Sequence, residues 1–151
     1  MAKKITPCLL YTKDAAKAAK YYTSIFKDGK ILSSDEIVTV FRIGGQEFVA
    51  LNGPSKKFNW SVSFMIDCKD QKEVDYYWNK LSKGGKEIQC GWLEDKYGMA
   101  WQVIPSILPK LFGAKDRTKA NRAIQAMLKM KKLDIAKLKA AFDGKPEKPA
   151  K

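Results

Sequence analysis

Histidine is absent from all 151 residues. That removes the commonest imidazole metal ligand and the side chain that most often activates a nucleophile near neutral pH, so no Ser-His-Asp or Cys-His arrangement can be built. Arginine is scarce as well: Arg42, Arg117 and Arg122 are three of 29 cations, few for a surface that reads bases or phosphates through guanidinium forks. The three cysteines, Cys8, Cys68 and Cys90, are an odd number with no C-x-x-C pair. They fit reduced, packing thiols better than a disulfide frame. No apolar run approaches a spanning helix, and the apolar part of the opening "MAKKITPCLLY" is too short for a secretory signal, so the expectation is a cytoplasmic protein with no membrane partner.

What the chain does have is a core. Apolar residues make up 45% of it and include four Trp, enough for one globular domain or two small modules sharing an interior. Only the stretch "GKPEKPAK" lacks a large apolar side chain, and residues 145–151 are expected to be a disordered tail. Charge is uneven: residues 110–151 hold 13 basic and four acidic side chains, against 16 and 12 in residues 1–109. Such a segment can meet nucleic acid or an acidic partner. The shortage of Arg and a normal Ala, Met and Ile stripe favour instead a helical extension with lysines facing water, so nucleic acid is not the expected partner.

The chain also repeats itself. "TKDAAKAAKYYTSIF" at 12–26 and "CKDQKEVDYYWNKL" at 68–81 both run Lys-Asp, helix formers, then Tyr-Tyr. Asp14 and Asp70 stand where helix N-caps belong, and Asp70 with Glu73 forms the D-x-x-E variety of capping box. Ala15, Ala18, Ala19, Tyr22, Ile25 and Phe26 make an apolar stripe in the first copy; Val74, Tyr77, Trp78 and Leu81 make one in the second. Gly29 and Gly84-Gly85 are expected to stop these helices. Each helix follows a strand-like run, "ITPCLLY" or "SVSFMIDC", and precedes three more, with hairpin turns at Gly44-Gly45 and at 94–98. The order is βαβββ twice, an α+β chain with modules at about 4–53 and 59–106 inside 1–109. A helical extension follows over 110–144, with helices near 117–131 and 134–142, the latter capped by Asp134 and stopped by Gly144. Paired units of this kind can close their sheets around a cup, a common place for a ligand.

The tandem units, together with "KITPCLLY…AAKAAKYYTSIF", "ALNG…FNWSVSFMIDCKDQKEVDYYWNKLSKGGKEIQCGWLEDKYGMAWQVIP" and "AIQAMLKMKKLDIAKLKAAFDG", resemble the PhnB-like branch of the vicinal oxygen chelate superfamily, which also holds glyoxalase I, bleomycin-resistance proteins and extradiol dioxygenases. "QCGWLEDKYGMAWQ" is the most specific part. The resemblance implies the glyoxalase/bleomycin-resistance fold and a homodimer. Branch members often carry the label 3-demethylubiquinone-9 3-methyltransferase-like, yet the glycine-rich loop that S-adenosylmethionine requires is lacking, since Gly44-Gly45 sits in a hairpin.

Metal-using members of the superfamily hold a divalent ion through the first and last strands of each module. Aligned on this chain, those positions are Pro7, Ser61, Ala50 or Asn52, and Gln102. Neutral Ser, Asn and Gln oxygens are weak ligands, and Glu47 flanks a turn, so no metal and no cofactor is expected. Strand alternation turns Ser61, Ser63, Met65, Ala100 and Gln102 toward the cup, joined by Cys90, Trp92 and Asn52 as candidate ligand-binding residues. Trp101 has the opposite parity and belongs to the core. Cys90, with no base to activate it, reads as a small hydrophobe; Glu87, Glu94 and Asp95 read as surface charges at turns. No catalytic residue is assigned. The leading expectation is a metal-independent small-molecule binding protein. Two rivals are a metal-dependent lyase, isomerase or dioxygenase of the same superfamily, and a nucleic-acid or acidic-partner binder acting through the basic extension.

Overall fold

In the computed structural model, which describes residues 4–146, the chain divides between Lys57 and Phe58 into two compact units. The first runs β1 (Cys8–Tyr11), α1 (Ala15–Ile25), β2 (Lys30–Ser34), β3 (Val38–Ile43) and β4 (Gln46–Asn52). The second runs β5 (Ser63–Cys68), α2 (Gln71–Ser82), β6 (Lys86–Glu87), β7 (Trp92–Glu94) and β8 (Ala100–Pro105). Their sheets have the orders β1-β4-β3-β2 and β5-β8-β7-β6. In each, the opening strand lies parallel to the closing one while the other pairs are antiparallel. The α+β fold of tandem βαβββ modules is therefore the one observed.

Alternation builds each core. In the first unit Leu9, Tyr11, Phe41, Ile43, Phe48 and Ala50 are buried together with Ala15, Ala18, Ala19, Tyr22 and Ile25 of α1. Tyr22 stacks on Phe41 at 6.0 Å and Phe41 on Phe48 at 5.3 Å. In the second, Val74, Trp78 and Leu81 of α2 are buried with Ile66, Cys68, Leu93, Trp101 and Val103.

Helix ends depart from the expectation in an informative way. Asp70 caps α2, accepting from Glu73 N at 2.9 Å, and Glu73 reciprocates by accepting from Lys69 N at 3.0 Å. Asp14 makes no side-chain cap. Asn52, at the end of the neighbouring parallel strand, accepts from Ala15 N at 2.9 Å and takes over that task. Gly29 does not end α1, which the chain leaves in extended conformation at Phe26. It is required because a Cβ there would stand 2.1 Å from the Thr23 carbonyl oxygen.

The extension folds as α3 (Leu108–Phe112), α4 (Arg117–Leu128) and α5 (Ile135–Asp143). Its interior is Leu108, Leu111, Ala123, Leu133 and Leu138. Backbone and side-chain bonds fasten it to the second sheet and α2. Cys90 N donates to Met130 O at 2.7 Å and Gly91 N to Lys131 O at 2.8 Å. The Gln71 amide grips both directions of one loop, donating to Leu133 O at 3.1 Å and accepting from Ile135 N at 2.8 Å. Of the expected tail, residues 147–151 lie outside the described part of the chain. No described helix is long and apolar enough to cross a membrane.

Candidate functional site

The second sheet has two faces, separated by strand parity. The row Phe64, Trp101, Leu93 turns toward α2, and Phe64 packs on Trp101 with ring centroids 5.4 Å apart. The two rows flanking it turn the other way: Ser63, Ala100 and Glu94, then Met65, Gln102 and Trp92. Five of the sequence-named residues, Ser63, Met65, Ala100, Gln102 and Trp92, thus share one face.

Gln102 is central to that face. Its Nε2 donates to Ser63 Oγ at 2.9 Å, which orients the amide and leaves Oε1 as an acceptor. Met65 beside it is 66% exposed, a flexible thioether open to whatever approaches. Trp92 borders the row on the other side and lies 6.5 Å, centroid to centroid, from Trp60, itself exposed. The Trp60 indole N–H donates to the Glu94 carboxylate, so Trp60 is held along β7 instead of turning freely. Sequence reasoning did not join Trp60 to Glu94, because 34 residues separate them and nothing local relates the two. Ala100 is fully buried and contributes wall alone.

Three named residues lie elsewhere. Ser61 precedes the strand: β5 begins at Ser63, and the Asn59 side chain accepts from Ser61 N at 2.9 Å in a local turn. Cys90 is half-buried, with the positive φ of 62° that accompanies its amide bond to the extension. Asn52 belongs to the first unit, where its Oδ1 caps α1 and its Nδ2 donates to Glu36 O at 2.9 Å. Both ends of that amide are already spent on the fold.

The register also corrects the correspondence between modules. Tyr11 pairs with Asn52 as Cys68 pairs with Pro105, and Cys8 with Val49 as Met65 with Gln102. The first-module counterpart of Gln102 is therefore Val49; Ala50 shares the helix-facing parity of Leu9. The corresponding positions are then Cys8 and Val49 in the first unit and Met65 and Gln102 in the second. Neither pair, a thiol with an aliphatic side chain or a thioether with a neutral amide, fits an ion that seeks carboxylates or imidazoles. Among the described residues no group of three His, Cys, Asp or Glu is placed to hold an ion.

Carboxylates and thiols near the sheet have structural employment. Asp95, expected as a surface charge, is 2% exposed and accepts from Tyr97 N at 2.8 Å, Met99 N at 3.2 Å and Trp101 Nε1 at 2.8 Å. It ties the β7–β8 hairpin from inside. Glu87 accepts from Trp78 Nε1 at 2.8 Å. Burial, reinforced by the charges of Glu73, Asp67 and Asp70, pushes the Cys68 thiol up to about 12, which silences it as a nucleophile.

A family model described as 3-demethylubiquinone-9 3-methyltransferase matches residues 3–104. Among solved structures, a PhnB protein from Bacillus cereus carrying the same family description is 29% identical, with 68% of this chain and 99% of that chain aligned and a TM-score of 0.63. A Pseudomonas aeruginosa protein matches at 17% identity over 69% and 98% of the two chains, TM-score 0.60. The fosfomycin resistance protein FosX of Listeria monocytogenes, in complex with Mn(II) and sulfate, matches at 17% identity over 80% and 98%, TM-score 0.56. These last two likenesses are of fold. No curated protein matches the chain.

Proposed function

The chain belongs to the 3-demethylubiquinone-9 3-methyltransferase family, PhnB-like proteins of the vicinal oxygen chelate fold, and from that premise we propose that it binds a small, largely apolar molecule on the open face of its second sheet without a protein-held metal. The observation that carries this reading is the Gln102–Ser63 hydrogen bond, which holds one polar anchor in a fixed orientation between an exposed thioether and a pair of indoles. Such a surface combines apolar area with a few placed polar atoms, the usual make-up of small-molecule sites. A flat molecule bearing a hydrogen-bond donor would lie over Met65 and against Trp92, donating to Gln102 Oε1.

The methyl transfer in the family's description is not carried over to this chain. Each parallel strand passes into its helix through Thr12–Asp14 or Lys69-Asp70, stretches without glycine, where a nucleotide-like cofactor would need a glycine turn for close backbone approach. The positive-φ pair Gly44 and Gly45, at 55° and 71°, closes the β3–β4 hairpin.

A homodimer belongs to the same proposal. β5 is an edge strand of its sheet, and Val62 just before it and Met65 within it are 63% and 66% exposed, an apolar edge that a second copy would cover. Binding is tested with the neutral fluorophore N-phenyl-1-naphthylamine. Saturable one-to-one binding is expected, weakened at least tenfold by Trp92→Ala and by Met65→Glu. Affinity unchanged in both variants would overturn the placement of the ligand.

A further inference from the structure

We propose a second, anion-binding site in the groove between α4 and α5, suited to a small multiply charged phosphate compound. The groove is open to solvent and offers about 850 Å³, within the range of small-molecule sites, and its described lining lies in the extension, outside the stretch that the family model matches. It is independent of the sheet face described above.

Its chemistry is one-sided. Arg122, Lys129, Lys137 and Lys145 line it, and there is no Asp or Glu among the described lining residues. Elsewhere in the extension Lys132 is neutralised by Asp75 at 2.9 Å, but neither Lys129 nor Lys145 forms an ion pair among the described residues. Cations gathered around one hollow repel each other, and an anion seated among them converts that repulsion into attraction. Arg122 supplies the rigid member. Its Nε and one terminal nitrogen donate to Ala141 O at 3.0 Å and Phe142 O at 2.8 Å, closing the C-terminal turn of α5 and fixing the guanidinium plane at the groove wall. Thr118, Asn121 and Gln125 add neutral donors, while Ala126, Met130, Ala140 and Ala141 give an apolar floor.

These features select the occupant. Several cations around one volume call for more charge than a single carboxylate carries, and lysines meet phosphate as point charges. The floor accommodates a short apolar portion. Nucleic acid is disfavoured because the described lining residues include no aromatic ring for base stacking and a single Arg.

The test is calorimetric titration of the full chain with inorganic pyrophosphate at 150 mM salt. Saturable binding to one site is expected. The double variant Lys129→Ala with Lys145→Ala should weaken it at least tenfold. Lys110→Ala with Lys115→Ala removes the same charge from the extension outside this groove and should change affinity less than twofold. Arg122 is left in place because its donors complete α5. Equal weakening in the two double variants would reduce the effect to general charge attraction and overturn the site; so would the absence of saturation. A 20-base-pair DNA duplex that outcompetes pyrophosphate tenfold or better would overturn the small-ligand assignment.

Discussion

Asp28 and Cys68 show how single side chains set measurable behaviour in this protein. The Asp28 carboxylate accepts from Gly44 N at 2.9 Å and Gly45 N at 2.7 Å, and those bonds hold its pKa below the ordinary 3.8. A carboxylate depressed in the folded state stabilises the fold above its unfolded pKa and loses that contribution as pH falls through the lower, folded value. Asp28→Asn is therefore expected to cost up to about 1 kcal/mol at pH 7, a small figure because the group is exposed to solvent. Urea unfolding should show the gap between wild type and variant closing as pH drops below 3.8. The thiols offer a second check at the same scale. Cys8 is exposed, whereas Cys68 is buried with its pKa near 12, so about one part in ten thousand of it is thiolate at pH 8. Iodoacetamide treatment of the folded protein followed by peptide mass analysis should find Cys8 modified and Cys68 intact.

At the scale of the element, the two copies of one sequence phrase reach the same fold by different caps. Asp70 caps its own helix, so Asp70→Ala should cost about 1 kcal/mol. Asp14 makes only a 3.4 Å ion pair with Lys17, and Asp14→Ala should cost less than about 0.5 kcal/mol. Asn52→Ala, 38 residues further along the chain, should cost more than Asp14→Ala, because the amide of Ala15 loses its acceptor. Chemical denaturation of the three variants ranks them; Asp14→Ala as the costliest would contradict this account. The contrast also marks what the sequence made legible. Stripes such as Val74, Trp78 and Leu81, the Gly44-Gly45 hairpin and the Asp134 cap with its Gly144 stop, φ 70°, are local patterns and could be read directly. The Asn52 cap, the burial of Asp95 and the Trp60–Glu94 link depend on pairing between distant strands, which no local pattern encodes. The short helix α3 escaped because five residues with Pro109 in the first turn carry too little periodicity to register. On the sheet face, period-two alternation was enough to gather Ser63, Met65, Ala100 and Gln102, with Trp92 added as an aromatic of the last hairpin, but it put Ser61 in the same row and the first-module counterpart of Gln102 at Ala50 or Asn52 instead of Val49, since a strand's first paired residue is set by its neighbour.

Across the whole molecule, the extension behaves as part of the second unit rather than an appendage. Leu133 is fully buried in the extension's core, its carbonyl bonded to Gln71 of α2 and its side chain close to where a Cβ on Gly91 would stand. Leu133→Ala should destabilise the protein by about 2–5 kcal/mol, read as a lower midpoint in urea with a single transition. A separate early transition would mean that the extension unfolds on its own. The same continuity places the basic groove and the apolar sheet face on one folded body, joined through Met130, which lines the groove and accepts from the Cys90 amide two residues before Trp92.

The central claim is that the Gln102 face takes an organic molecule with no metal held by the protein. Native mass spectrometry of the full chain as purified from cells, beside its Gln102→Ala variant, tests it most directly. The account predicts an adduct of small organic mass on the wild type that is lost in the variant. A stoichiometric metal ion on the wild type, released by the same substitution, would contradict it.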